Sequence, residues 1–233
     1  MLARMSTRCW GNTLTKKIAI TGHSSGIGKQ IDTILSLTES SWEIRGYSKS
    51  NGHNIAEDDG DKIIQTLIDF DPDVVFNNAY YPKIQTKIVK HLYTKWADQS
   101  KVIINTGSIS GHLGHILGTP EYVVDKKALQ EHAINSSFNY PYKNKTRIHN
   151  ISFGFVNTNL VRGSNKDLKY DMMIDEEKAA WMLIDLIDEK PSHVVEQVVN
   201  CNFIEEKDQQ ETFGIASRNI LRHIAKSNRN LKD

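Results

Sequence analysis

The stretch Thr21-Gly22-His23-Ser24-Ser25-Gly26-Ile27-Gly28 constrains this chain more than any other. Its three glycines follow a short apolar run, 17–21, and precede Ile27, Ile31, Ile34, Leu35 and Leu37 at near-helical spacing. A glycine turn between a buried strand and a helix clears side chains from the helix N-terminus, where unpaired N–H groups and the positive dipole end collect. Such a turn seats a dinucleotide pyrophosphate. Gly22, Ser24, Ser25, Gly26, Ile27 and Gly28 are therefore the first candidate cofactor contacts.

The rest of the chain keeps the same rhythm. Strands are predicted over 42–47, 73–77, 101–105, 147–152 and 193–201, and helices over 61–70, 84–96, 122–138 and 176–188. Ser48-Lys49-Ser50-Asn51-Gly52 stops the second strand, and Asp71-Pro72 ends the helix before the third. Alternating strands and helices require crossovers, so the expected fold is α/β: a doubly wound, mainly parallel sheet with helices on both faces. Residues 16–233 read as one domain. Residues 1–15 read as a disordered tail, and a C-terminal helical extension begins at about 205, with Ile215, Ile220, Leu221 and Ile224 as its weak stripe.

Composition narrows the partners. Twenty-nine basic against 28 acidic residues leave a formal charge of +1, no field to gather nucleic acid or an anionic membrane. Neither is expected as a partner. The two cysteines, Cys9 and Cys201, imply no disulfide framework. No apolar run reaches the roughly 18 residues of a membrane span, and a cytoplasmic protein is expected. The first residues carry Arg4 and Arg8 and no acid, which also fits a mitochondrial-type leader, and Met5 is an alternative start.

Tyr122-Val123-Val124-Asp125-Lys126 carries the candidate chemistry. Residues four apart on a helix share a face, so Tyr122 and Lys126 can look into one cleft, while Lys127 points away. A free phenol titrates near about 10, and an adjacent ammonium lowers that value toward working pH. Gly107-Ser108-Ile109-Ser110-Gly111 comes just after the strand predicted over 101–105. A serine hydroxyl there would steady charge developing on a substrate oxygen. Ser108 is preferred for that role and Ser110 is the alternative. His112 and His115 fall between serine and tyrosine, where they would line a substrate mouth, and lack partners at metal-ligand spacing, so no metal is expected.

In order along the chain, TG-x-x-x-G-x-G, a serine fourteen residues before the tyrosine, and Y-x-x-x-K resemble the short-chain dehydrogenase/reductase family from about Lys16 to about Leu160. The resemblance implies a Rossmann-like fold and hydride exchange between a nicotinamide cofactor and a small-molecule carbonyl or alcohol. Ser108, Tyr122 and Lys126 would be catalytic, Tyr122 as acid/base, with Lys126 also bonding the nicotinamide ribose. Arg45, Ser48 and Lys49, with no acid at the end of the second strand, favour NADP, and NAD stays open. Asn54-Ile55 stands where the family places an adenine-contacting pair. Asn77-Asn78-Ala79-Tyr80 matches its N-N-A-G with Tyr80 for glycine, so Asn78 and Ala79 are cofactor contacts and Tyr80 narrows the approach. Phe153-Gly154-Phe155-Val156-Asn157-Thr158 resembles the P-G-x-[IV]-x-T segment, placing Val156 and Thr158 at the carboxamide. Two departures accompany these matches. The segment between Asn78 and Ser108 is short, and it holds no counterpart of the family's relay asparagine, Asn105 being its one asparagine. The shortened helix favours a homodimer or a monomer over a tetramer. The loop 162–173 (Asn165, Lys166, Asp167, Lys169, Asp171) names no substrate. A regulatory or sensor protein that binds the dinucleotide without turnover is the alternative reading.

Overall fold

Apolar β-rich runs bounded by turns become the strands. The computed structural model describes residues 15–113, 119–139, 142–164, 173–188 and 196–199. The tail before residue 15, His115, most of the loop 162–173, both ends of the last expected strand and the C-terminal extension lie outside the described residues. In chain order the elements are β1 (Lys17–Thr21), α1 (Gly26–Thr38), β2 (Glu43–Tyr47), α2 (Asp61–Phe70), β3 (Val74–Asn77), α3 (Ile84–Lys95), β4 (Val102–Ser108), α4 (Ser110–Leu113), α5 (Pro120–Ser137), β5 (Arg147–Phe153), α6 (Asn159–Ser164), α7 (Glu176–Ile184) and β6 (Glu196–Val199). Among the described residues six parallel strands form one sheet in the order β2-β1-β3-β4-β5-β6. This is the doubly wound, Rossmann-like arrangement expected from the sequence. The chain leaves β1 in one direction to reach β2 and returns to β1's other side as β3. That reversal opens a crevice at the carboxyl ends of β1 and β3.

Strand alternation divides the core between the two faces. Ile18 and Ile20 of β1, Val74 and Phe76 of β3, and Ile104 of β4 pack with Ile31, Leu35 and Leu183 of α1 and α7. Ala19, Val75 and Ile103, one residue out of phase, face Ile63, Leu67, Ile88, Leu92 and Leu129 of α2, α3 and α5. Strands buried on both faces read as continuous apolar runs, which is why they were legible. Among the described residues no helix is long and apolar enough to cross a membrane.

Several boundaries differ from expectation for local reasons. β4 runs on through Thr106, Gly107 and Ser108, because these pair in register with Ile151, Ser152 and Phe153 of β5. α5 begins at Pro120 rather than at 122: the Thr119 side chain accepts the Tyr122 N–H at 3.3 Å and proline occupies the first turn. α7 stops at Ile184 and a single 3₁₀ turn, Asp185–Ile187, finishes the segment expected to be helical to 188. Leu37, counted with the apolar stripe of α1, is 80% exposed, while Ile31 is 0% exposed. Ile31→Ala should therefore cost about 2–5 kcal/mol in chemical denaturation, whereas Leu37→Ala should stay within about 0.5 kcal/mol.

Candidate active site

Backbone geometry forms the turn after β1. Gly22 and Gly26 adopt φ of +74° and +54°, values that a side chain disfavours. A Cβ on Gly28 would sit 2.3 Å from the Gly22 carbonyl oxygen, so α1 can approach the turn this closely only through glycine. No acidic residue occupies the first turn of α1, leaving its N-terminal dipole unopposed. The Thr21 hydroxyl accepts the N–H groups of Asn78 and Ala79 at 2.9 and 3.0 Å. Asn78 in turn donates to the Thr21 carbonyl at 3.2 Å and accepts from the Thr106 hydroxyl at 3.0 Å. Its amide thus braces β1 against β4.

The three catalytic candidates arrive from two elements. Ser108 closes β4, and Tyr122 and Lys126 lie one turn apart on α5. All three line one cleft of about 390 Å³, which Gly22, Gly26 and Ile27 also line, a size ordinary for small-molecule sites. Of the expected cofactor contacts, Ser25, Asn78, Ala79, Val156 and Thr158 line it too. Phe153 and Gly154 belong to the same lining.

Other expected contacts stand apart from that lining. Ser24 is exposed, and Gly28 lies beneath the turn as a packing position. Ser48 is buried, its N–H donating to Asn51 Oδ1 at 2.9 Å and its hydroxyl 2.7 Å from that of Ser50. Lys49 is exposed in the 3₁₀ turn Lys49–Asn51 beyond β2. Asn54 Oδ1 accepts the Ala56 N–H at 3.2 Å, a local turn contact. Arg45 pairs with Glu43 and stacks 4.2 Å over Phe70. It lines a second hollow, of about 490 Å³, against the sheet's outer strand β2, away from the three catalytic candidates. His112 does not join the cleft lining; its ring nitrogens lie 3.2 Å from Glu196 Oε1 and 2.9 Å from Gln130 Nε2, turned toward β6.

Electrostatics at the cleft depart from the simple picture of an ammonium beside a phenol. Lys126 Nζ donates to Gln85 Oε1 at 2.6 Å and to the Thr106 carbonyl at 2.9 Å. It also sits over the rings of Tyr80 and Tyr122, 5.2 and 5.5 Å from their centroids. Burial drives the Lys126 pKa down to about 7, with Asp125 opposing. Burial also raises the Tyr122 phenol, and a hydrogen bond with Ser108 lowers it. No lowering of Tyr122 by Lys126 accompanies these shifts, because the buried amine has lost its charge before the phenol ionises. Tyr80 stands edge-on to Tyr122, centroids 4.8 Å apart, and its hydroxyl donates to Asp125 Oδ2 at 3.2 Å. Burial and that carboxylate hold the Tyr80 phenol far above its ordinary range.

Gln85, Thr106 and Asp125 escaped sequence reasoning. Gln85 left a signal: it occupies the stripe that continues as Ile88, Val89 and Leu92, where a polar residue needs a partner. Asp125 lies between Tyr122 and Lys126 but offers no pattern of its own. Its carboxylate caps the Lys83 N–H at 2.7 Å, at a left-handed residue opening α3.

No family model matches the sequence, and none of the curated proteins does. Solved structures are similar in fold. An oxidoreductase of the short-chain dehydrogenase/reductase family from Burkholderia thailandensis aligns with a TM-score of 0.64 at 15% identity, over 86% of this chain and 98% of that one. The 3-alpha-hydroxysteroid dehydrogenase from Pseudomonas sp. B-0831, complexed with NADH, gives 0.61 at 16% identity over 79% and 94%. BdcA in complex with NADPH gives 0.63 at 17% over 82% and 96%. At these identities the likeness establishes the Rossmann-like fold. The turn's packing is open to a direct check: Gly28→Ala should lose about 1–3 kcal/mol of stability in denaturant titration, since its Cβ meets backbone that cannot rotate away.

Proposed function

We propose that this chain is an NADP-dependent oxidoreductase of the short-chain dehydrogenase/reductase type that interconverts a carbonyl and an alcohol. One observation carries the reading: Ser108, Tyr122 and Lys126 line a single cleft together with residues of the glycine turn. The dinucleotide, when bound, supplies or accepts the hydride at the carbonyl carbon. The residues present fit it. A turn that admits no Cβ at Gly28, ahead of a helix with no acid in its first turn, suits a pyrophosphate. Backbone at Gly22, Ser25, Gly26 and Ile27 would hold the phosphates, Asn78 and Ala79 the ribose side, and Val156 and Thr158 the carboxamide.

Ser108 then donates a hydrogen bond to the substrate oxygen, and Tyr122 gives its phenolic proton to that oxygen as the carbonyl becomes an alcohol. In the reverse direction the phenolate takes the proton back. Lys126, titrating near neutrality, restores or removes charge beside the phenol. The neighbouring structures hold NADH in one case and NADPH in another. Preference for NADP here rests on Lys49 and on the β2 terminus, whose nearest acid, Glu43, opens the strand and pairs with Arg45. NAD is the other dinucleotide. The protein is taken as cytoplasmic, and as a homodimer or monomer. A sensor without turnover is the second reading. It is favoured by the Tyr80 ring in the cleft wall and by a Lys126 with two of its donors engaged.

A panel of carbonyl compounds with NADPH, followed by loss of reduced-nicotinamide absorbance, should find turnover; tight NADPH binding with none across the panel selects the sensor. With a substrate in hand, Tyr122→Phe should lower kcat by at least about 100-fold with cofactor affinity nearly unchanged. Lys49→Ala should weaken NADPH by about tenfold and NADH little. Equal wild-type affinities for the two would remove the NADP assignment.

A further inference from the structure

A neutral amide buried inside a helix–sheet interface is costly unless every polar atom is matched. Gln85 is 3% exposed, and both polar atoms of its side chain have partners. Its Nε2 donates to the Asn77 carbonyl at 2.6 Å and to the Thr106 carbonyl at 3.2 Å. Asn77 Nδ2 returns a bond to the Gln85 carbonyl at 2.9 Å and another to Asn105 Oδ1 at 2.9 Å. Backbone and side chain of Gln85 are thus fixed by the same strand end. With both amide hydrogens committed to carbonyls, the orientation of the amide is forced, and Oε1 can only accept. What it accepts is an N–H of Lys126, itself 4% exposed.

We infer that Gln85 is the positioning residue for Lys126, holding its ammonium at the floor of the cleft so that one proton can come and go without breaking the anchorage. An ammonium has three donors, and Gln85 Oε1 and the Thr106 carbonyl engage two. The third is left for the cleft that Lys126 lines. After deprotonation the amine keeps two donors for the same acceptors, and its lone pair replaces the third. Both charge states are therefore held in one place. Two neutral acceptors also leave the charge uncompensated by any carboxylate in contact. The charged and titratable groups around it are Tyr122 and Asp125 from α5 and Tyr80 from the β3–α3 loop. Asp125 points its carboxylate at the Tyr80 hydroxyl and the Lys83 N–H. From β4 the Thr106 backbone carbonyl meets the ammonium. The role of Lys126 in turnover rests on the oxidoreductase reading; the way it is held does not.

The test follows the titration of Lys126 in the full chain by NMR of lysine Cε, the signal identified by its absence in Lys126→Met. Gln85→Met keeps the volume and removes the acceptor, so the ammonium loses a partner and its midpoint should fall by about one pH unit. Gln85→Glu places a carboxylate there, and the midpoint should rise by at least as much. Where turnover is measurable, the alkaline limb of the kcat/KM profile should move in the same two directions. Opposite shifts support positioning whether or not the chain turns over, and a shift without turnover in the wild type counts against the oxidoreductase reading alone. If Gln85→Met does not fold, the upward shift in Gln85→Glu decides. Midpoints unmoved in folded variants overturn the inference, including in a chain that reduces carbonyls normally.

Discussion

Everything at the carboxyl edge of the sheet depends on the fastening between Thr21 and the segment after β3. One hydroxyl accepts two successive N–H groups, from Asn78 and Ala79, while donating to the Phe76 carbonyl at 3.3 Å. Two strands that send their helices to opposite faces would otherwise be free to splay where they part. With the crevice walls pinned, Gly22 packs against Ala79 and the Asn78 amide reaches across to Thr106. The cleft is therefore shaped by backbone donors and short side chains, and a larger residue at Thr21 would disturb all of it at once.

The central strands β1, β3 and β4 were legible because they are apolar on both faces. Ile18, Ala19 and Ile20, or Val102, Ile103 and Ile104, can hardly be placed elsewhere. Strand ends were less legible for the opposite reason. Thr106, Gly107 and Ser108 offer no apolar signal and join β4 only because β5 extends alongside. Ser108, Tyr122 and Lys126 could be picked out since glycines, a serine and a helical i, i+4 pair keep fixed spacing. Gln85 and Asp125 could not, because their significance comes from partners far away in sequence. Position relative to a strand end is all that marks Ser48, Lys49 and Asn54 in the sequence, and local turn contacts decide where Ser48 and Asn54 point.

The charge balance of the cleft also reverses a sequence-based expectation. Burial raises the phenol and lowers the ammonium, so both groups favour their neutral forms. Ser108 is the group that pulls Tyr122 the other way. The arrangement keeps a proton on the phenol, as the proposed reduction would require, and places the tuning with neutral hydrogen-bonding groups rather than with an ion pair.

The position of β2 at the sheet margin bears on how the molecule behaves in a crowd. An outermost strand offers its outward N–H and C=O groups to any passing chain. Here the Gly46 carbonyl is already taken by Asn51 Nδ2 at 2.7 Å, and Glu43 and Arg45 set a bonded pair of charges along the rim. A foreign strand laid there would have to displace an intramolecular bond and bury two charges. At this margin ladder growth is thus resisted by the strand's own turn and by its charges.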